Sequence, residues 1–178
     1  MKSEMQIEIV NAKKSDINAI MEIENKSFES AIRESEDTFL ARIEFFQKGF
    51  LLLKINGVIA GYFSSERWEK TPESENEFAS LFVGHSIENV HRADGKSLYV
   101  SSFALLPEYR GNGLARPFFA DSISILKRDC GVLSAFLVVN PKWSSAEAIY
   151  RKECFSQRRI LQSFFENGDD AIFMEKIF

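Results

Sequence analysis

Two cysteines and two histidines are all that the 178 residues hold. Cys130 and Cys154 are too few for a disulfide framework, and two histidines cannot assemble a zinc-type cluster. No metal is expected, and both cysteines are read as packing residues. Long apolar runs are also missing. No stretch approaches the roughly 18 to 20 apolar residues of a bilayer span, and Met1-Lys2-Ser3-Glu4 leads into polar-apolar alternation instead of a signal-peptide core. The expectation is a soluble, cytoplasmic chain with no membrane partner. Positive charge is not in excess, since 22 Lys and Arg stand against 26 Asp and Glu, for a net charge of -4. Nothing there draws the chain to a phosphate backbone, so nucleic acid is not expected as a partner. Nine Gly and four Pro leave no linker, repeat or low-complexity tract. What the chain does have is phenylalanine, 17 residues within a 45% apolar fraction. A chain of this size buries roughly 70% of its surface on folding, so one domain over 1–178 with one core is expected.

Periodicity sets out the elements. Gln6 to Val10 alternates as a half-buried strand, and Ser15-Asp16 can cap a helix carrying Ile17, Ile20, Met21, Ile23 and Phe28. A second helix follows Asp37 through Phe39, Leu40, Ile43 and Phe46, with Gly49 to end it. Phe50–Ile55 and Val58–Phe63 flank Asn56-Gly57, the dipeptide most suited to a two-residue hairpin turn. Residues 66–97 begin in charge and read as a loop carrying a short helix. Leu98–Leu106 is a nearly continuous apolar run, as in a buried central strand, and Pro107 stops it. A helix spans Leu114 to Cys130, with Pro117 harmless in its first turn. Val132–Asn140 is another buried strand, and Ser144 or Ser145 caps a helix through Ala146, Ile149, Tyr150 and Cys154. Two strands, Arg159–Phe165 and Ala171–Phe178, close the chain around Glu166-Asn167-Gly168-Asp169. The order mixes parallel crossovers with hairpins in an α/β chain built on one mixed sheet.

One strand-to-helix junction carries chemistry. In Pro107-Glu108-Tyr109-Arg110-Gly111-Asn112-Gly113-Leu114-Ala115, free backbone N–H groups and the positive end of a helix converge as they would on an anion. Gly111 and Gly113 let the backbone approach phosphate oxygens, Ala115 keeps the first helical turn uncrowded, and Arg110 can add a cationic contact. A Gly-rich turn with no ligand is the other reading of the same residues. The dinucleotide fingerprint does not fit, because Arg116 stands where a third Gly or Ala is needed. Gly95-Lys96-Ser97 is no P-loop either, since Val90 takes the place of its first glycine and a strand follows.

Arg110-x-x-Gly113-x-Ala115 matches the Gln/Arg-x-x-Gly-x-Gly/Ala signature of the GNAT superfamily of N-acetyltransferases, in the family's position between a central strand and a helix. Ala146-x-x-x-Tyr150-x-x-x-Cys154-Phe155 is similar to the family's Ala-x-x-x-Tyr-x-x-x-Gly-Phe. The closing hairpin ending Met174-Glu175-Lys176 is also of the family type, so the chain resembles the superfamily over nearly its whole length. The resemblance implies the GNAT-like acyl-CoA N-acyltransferase fold, a mixed sheet of about seven strands flanked by about four helices. It implies acetyl-CoA as co-substrate and direct transfer of acetyl to a primary amine. The coenzyme would lie where Leu98–Leu106 and Val132–Asn140 splay apart. Its pyrophosphate would meet the backbone of Arg110, Gly111, Asn112, Gly113, Leu114 and Ala115. Its pantetheine would pair with the main chain at Phe103 and Leu105, where one N–H can polarise the thioester carbonyl. Asn140 and Ser145 are further candidates for the coenzyme arm, or are strand-end and capping residues.

Tyr150 stands at the position of the family's general acid, which protonates the departing thiolate; otherwise it is an amphipathic aromatic at the core's edge. Val138 and Val139 occupy the strand where some relatives carry a glutamate base. His91 and His85 remain as bases, as do Ser101 and Ser102 acting through water, with His91 the preferred candidate for its ordinary pKa near 6.5. A loop histidine with no catalytic part is the alternative. The serines can also satisfy backbone beside a bulge. Cys154, replacing the family's glycine, puts the helix end after Tyr150 in question. The loop from Arg67 to Lys96, with His91-x-x-Asp94-Gly95, resembles the arylalkylamine-type branch. Trp68, Phe78, Phe82 and Tyr99 could line an acceptor pocket or belong to the core. The expected acceptor is a small-molecule amine, for a chain working as a monomer or homodimer. The alternatives are a protein N-terminal or lysine acetyltransferase, or a non-catalytic acyl-CoA-binding regulatory module.

Overall fold

The computed structural model describes residues 5–178; Met1–Glu4, read above as the start of a chain without a signal peptide, lie outside them. Seven strands form one sheet: β1 (Ile7–Asn11), β2 (Phe50–Ile55), β3 (Val58–Trp68), β4 (Ser97–Leu105), β5 (Ser134–Val139), β6 (Ser156–Leu161) and β7 (Ala171–Ile177). Four longer helices flank it: α1 (Ile17–Ser27), α2 (Glu36–Phe45), α5 (Ala115–Cys130) and α6 (Ser144–Lys152). Two single-turn helices, α3 (Glu75–Phe78) and α4 (Ile87–Val90), interrupt the β3–β4 connection. The strand order is β1-β2-β3-β4-β5-β7-β6, antiparallel except at β4–β5, where the α5 crossover makes the pair parallel. This is the GNAT-like mixed sheet that the resemblance implied.

Local chemistry accounts for most boundaries. Asn56 and Gly57 take φ of 49° and 81°, the two left-handed residues that a tight β2–β3 turn needs. Ser35 accepts a hydrogen bond from the Thr38 N–H and starts α2. Gly131, at φ 61°, ends α5. Three expectations are corrected. β3 runs to Trp68, not Phe63, because Ser65, Glu66, Arg67 and Trp68 keep pairing with β4 while the Glu66 side chain is buried in a polar contact with His85. β6 is Ser156–Leu161, not Arg159–Phe165; Phe164 and Phe165 fold back from the hairpin onto the sheet. α2 ends at Phe45, and Gly49 instead closes a separate 3-10 turn.

The two faces of the sheet carry different apolar clusters. On one face α5 and α6 pack Phe118, Phe119, Leu126 and Tyr150 against Phe63, Val100, Leu105, Leu137 and Val139. On the other, α1 and α2 cover Leu52, Tyr62 and Ala104, and the β3–β4 connection and β6–β7 hairpin cover Tyr99, Phe136 and Phe173. Alternation along β5 sends Ala135, Leu137 and Val139 to the first face and Phe136 and Val138 to the second.

Cys154, read as a packing residue, is exposed. It lies just past α6 at φ 66°, and the flanking N–H groups of Cys154 and Phe155 donate to the Arg151 and Tyr150 carbonyls at 3.0 and 2.9 Å. The helix end therefore keeps the geometry of a glycine stop with a side chain that disfavours it. Cys154→Gly is expected to raise stability by about 1 kcal/mol, a Tm increase of about 2–4 °C by thermal melting; an unchanged or lower Tm would contradict strain at this turn.

Candidate active site

β4 and β5 pair only through Ser97–Tyr99 and Ser134–Phe136 among the described residues, and then diverge. A bulge helps to part them: Ser64 pairs with Ser102 and Ser65 with Val100, so Ser101 is an extra residue on β4. The Ser101 hydroxyl donates back to the Ser64 carbonyl at 3.2 Å, the backbone role foreseen for it. The gap is a cleft of about 590 Å³ that passes between the strands from one face of the sheet to the other. Gly111, Ala115, Ile149 and Tyr150 line its α5–α6 side; Glu24, Phe28, Tyr99 and Val138 line the opposite side.

The β4–α5 turn stands at the first side. Gly111 and Gly113 have φ of 75° and 73°, and a Cβ built at either meets nothing within 4 Å. The N–H groups of Gly111, Asn112, Gly113 and Ala115 donate to no backbone carbonyl among the described residues, and α5 begins immediately behind them. This open turn, with donors at a helix N-terminus, fits a diphosphate such as that of coenzyme A. Leu114 packs into the core and accepts the Phe118 N–H, leaving its own N–H for the turn. Arg110 is otherwise engaged: its Nε donates to the Leu105 carbonyl at 2.9 Å and an Nη to Ser27 at 2.7 Å. Its guanidinium thus ties the end of β4 to α1. The Phe103 ring packs on Phe63, Phe118 and Phe119, so Phe103 and Leu105 offer only main chain to a ligand.

Tyr150 is buried between Phe119 and Phe155, which pushes its phenol above the ordinary range. Its hydroxyl has no hydrogen-bond partner among the described residues and is not sealed off, so it faces the cleft still protonated. Asn140 is committed elsewhere. Its amide donates to Asp169 at 2.9 Å and accepts the Lys142 N–H at 2.9 Å, pinning the β6–β7 hairpin outside the cleft lining.

A candidate acid-base group that the sequence did not reveal is Glu24. It sits on the buried face of α1 and lines the cleft. Burial lifts its carboxyl to about 7, against the pull of hydrogen bonds from Tyr62 and the Glu34 N–H. The Tyr62 hydroxyl donates to Glu24 and so accepts from Ser102, 2.7 Å away, whose oxygen keeps a lone pair for the cleft. Ser102, Tyr62 and Glu24 thus form a hydrogen-bonded chain along which a proton can pass. Ile17, Ile20, Glu24 and Phe28 share one helical stripe, and that spacing was the available signal.

His91 lies away from this path. Its Nδ1 accepts the Arg67 N–H at 3.2 Å, its ring rests on Phe46 4.7 Å away, and it does not line the cleft. Burial, with Arg67 and Arg92 nearby, lowers its pKa. His85 does line the cleft, with Nδ1 donating to the Phe82 carbonyl at 2.9 Å and Nε2 on Glu66. Both ring nitrogens are therefore occupied. Of the aromatics expected at the acceptor side, Tyr99 and Phe82 reach the cleft, whereas Trp68 and Phe78 pack in the core behind it.

Residues 17–154 match the model of the Acetyltransferase (GNAT) family, a span that contains the Gly111–Gly113 turn, Tyr150 and Glu24. The chain belongs to this family. The acetyltransferase is 23% identical over 168 residues to an N-alpha-acetyltransferase of Sulfurisphaera tokodaii, covering 93% of this chain and 90% of that protein. It is 31% identical over 78 residues to an N-alpha-acetyltransferase of Saccharolobus solfataricus; that match spans 44% of this chain and only about half, 47%, of the relative. Its fold is shared with the yncA protein of Salmonella typhimurium, whose structure holds its cofactor acetyl-CoA, at a TM-score of 0.71 and 21% identity over 97% of this chain and 94% of that one. Among the described residues the acetyltransferase has no group of three metal-ligating side chains and no helix long and apolar enough to cross a membrane.

The raised carboxyl of Glu24 has a measurable sign. Folded Glu24 holds its proton up to about pH 7, against 4.5 unperturbed, so its contribution to stability is complete below about pH 4.5 and is lost as pH rises through 7. The loss amounts to roughly 3 kcal/mol. Glu24→Gln does not titrate, so its Tm is expected to fall less than that of the wild type between pH 5 and pH 8. Parallel melting curves at the two pH values check this, and equal falls would contradict a buried, raised carboxyl.

Proposed function

We propose that the protein transfers the acetyl group of acetyl-CoA directly to the α-amine at the N-terminus of a peptide or protein. The observation that carries this is Glu24, a buried carboxyl that lines the cleft and is joined through Tyr62 to Ser102. Burial raises it toward neutrality, where it can take up the proton that an amine loses. The N-alpha-acetyltransferases among the relatives favour an α-amine over the small-molecule amine expected from the sequence.

Bound acetyl-CoA would supply a thioester whose carbonyl carbon forms the new C–N bond as the C–S bond breaks. The chain's own residues manage the protons and the position. The backbone N–H groups of Gly111 to Ala115 hold the diphosphate, and the edge of β4 that faces away from β3, at Phe103 and the Leu105 N–H, aligns the pantetheine arm. Glu24 takes the proton that the amine loses, directly or through Ser102 and Tyr62. Tyr150, kept neutral by burial, donates its hydroxyl proton to the leaving sulfur. With its two ring nitrogens engaged, His85 serves as a wall, and His91 lies outside the cleft.

The test follows thiol release from acetyl-CoA with short peptides and with alkylamines as acceptors. Amine-dependent release with peptides is expected; release with alkylamines alone would overturn the α-amine assignment. Glu24→Gln and Tyr150→Phe are each expected to lower kcat by about 10²-fold or more, and Glu24→Gln to remove the limb of the rate profile near pH 7. Wild-type kcat in either variant would remove that residue's role. Gly113→Asp is expected to abolish binding of coenzyme A in calorimetry through charge and backbone conflict, and unchanged affinity would contradict the diphosphate cradle.

A further inference from the structure

The acceptor side of the cleft has a composition of its own. Its walls are Phe28 and Ile32 from the α1–α2 connection, Leu81 and Phe82 from the strap between β3 and β4, and Phe164 and Phe165 from the β6–β7 hairpin. Three segments remote in sequence thus bring apolar side chains to one place. Apart from Glu24, which faces the amine itself, the charged groups among them are already engaged. Glu34 accepts from Arg42 at 2.7 Å with one oxygen and from the Gly84 N–H at 2.9 Å with the other. His85 is held between the Phe82 carbonyl and Glu66. Lys142, nearer the mouth, is bound by Asp169 at 2.6 Å.

The geometry points to an acceptor whose first residue carries a large apolar side chain, seated against Phe82 and the facing phenylalanines. This rests on the α-amine reading and adds which α-amine. A charged first side chain would enter a pocket whose counter-charges other than the base Glu24 are taken, with little to offset its desolvation. A small first residue would leave the exposed part of Phe82 in water and gain little from the site. Phe82 is the natural selector. The residue is 53% exposed, so its own fold buries it only in part and an acceptor side chain can bury more. Its backbone is fixed, because its carbonyl accepts both the His85 N–H at 3.2 Å and the His85 Nδ1–H. The selecting ring is therefore carried on a strap anchored to the core.

The experiment uses pentapeptides identical from the second residue onward, beginning with Leu, Met, Phe, Ala, Ser, Lys or Glu. Leu, Met and Phe peptides are expected to exceed Ala and Ser peptides by about tenfold or more in kcat/KM, with most of the difference in KM. Phe82→Ala is expected to erase most of that margin, and Phe82→Leu to keep most of it. Melting temperatures of both variants report whether the fold is intact, as expected for a half-exposed ring. Equal rates across the panel, or a preference for Ala, Ser, Lys or Glu, would overturn the apolar pocket while leaving the α-amine assignment standing. A preference that survives Phe82→Ala would remove Phe82 as selector. Failure of every peptide beside turnover of an alkylamine would instead bring down the α-amine assignment and this inference with it.

Discussion

Glu34 holds the acceptor half of the molecule together. Its carboxylate is buried and receives Arg42 from α2 and the Gly84 N–H from the strap, while its own N–H donates to Glu24. Three segments that share no secondary structure therefore meet at one residue. A buried ion pair of this kind adds little net stability over an apolar pair of the same shape. Its loss is another matter, because Arg42 is almost wholly buried and its Nε and one Nη have no other partner among the described residues. The pair thus fixes where the strap, α1 and the Glu24 carboxyl stand relative to one another.

The two faces of the sheet divide the chemistry. On the α5–α6 side the useful groups are backbone N–H donors and one phenol, suited to a polyanionic ligand and to a leaving group that needs a proton. On the other side they are a carboxyl, two hydroxyls and apolar walls, suited to a neutral or newly deprotonated amine. The separation follows from strand alternation: Phe103 and Leu105 point to the first face, Ser102 and Ala104 to the second. The bulge at Ser101 lets Tyr99 and Ser102 both serve the second face although they are an odd number of residues apart.

Most of this architecture could be read from local pattern. Asn56-Gly57, the apolar run of β4 and the glycines after Pro107 each state a backbone conformation in two or three residues. The polar core could not be read so easily, because charge in a sequence is ordinarily a sign of solvent. Glu24 stands between Glu22 and Lys26, and only its place on the stripe with Ile17, Ile20 and Phe28 separates it from them. Glu66 likewise sits among charged neighbours, yet Tyr62, Ser64, Glu66 and Trp68 form one inward row of β3. Its partner His85 lies across a connection whose path no periodicity describes. For the same reason His91 was the more inviting histidine: its loop position was visible, and its contact with the Arg67 backbone was not.

The passage through the sheet has a bearing on traffic. Gly111 at one face and Phe82 at the other both line it, and both are exposed. On the proposed function, a coenzyme entering beside Gly111 and an acceptor entering beside Phe82 would meet along the gap from opposite sides and would not compete for one entrance.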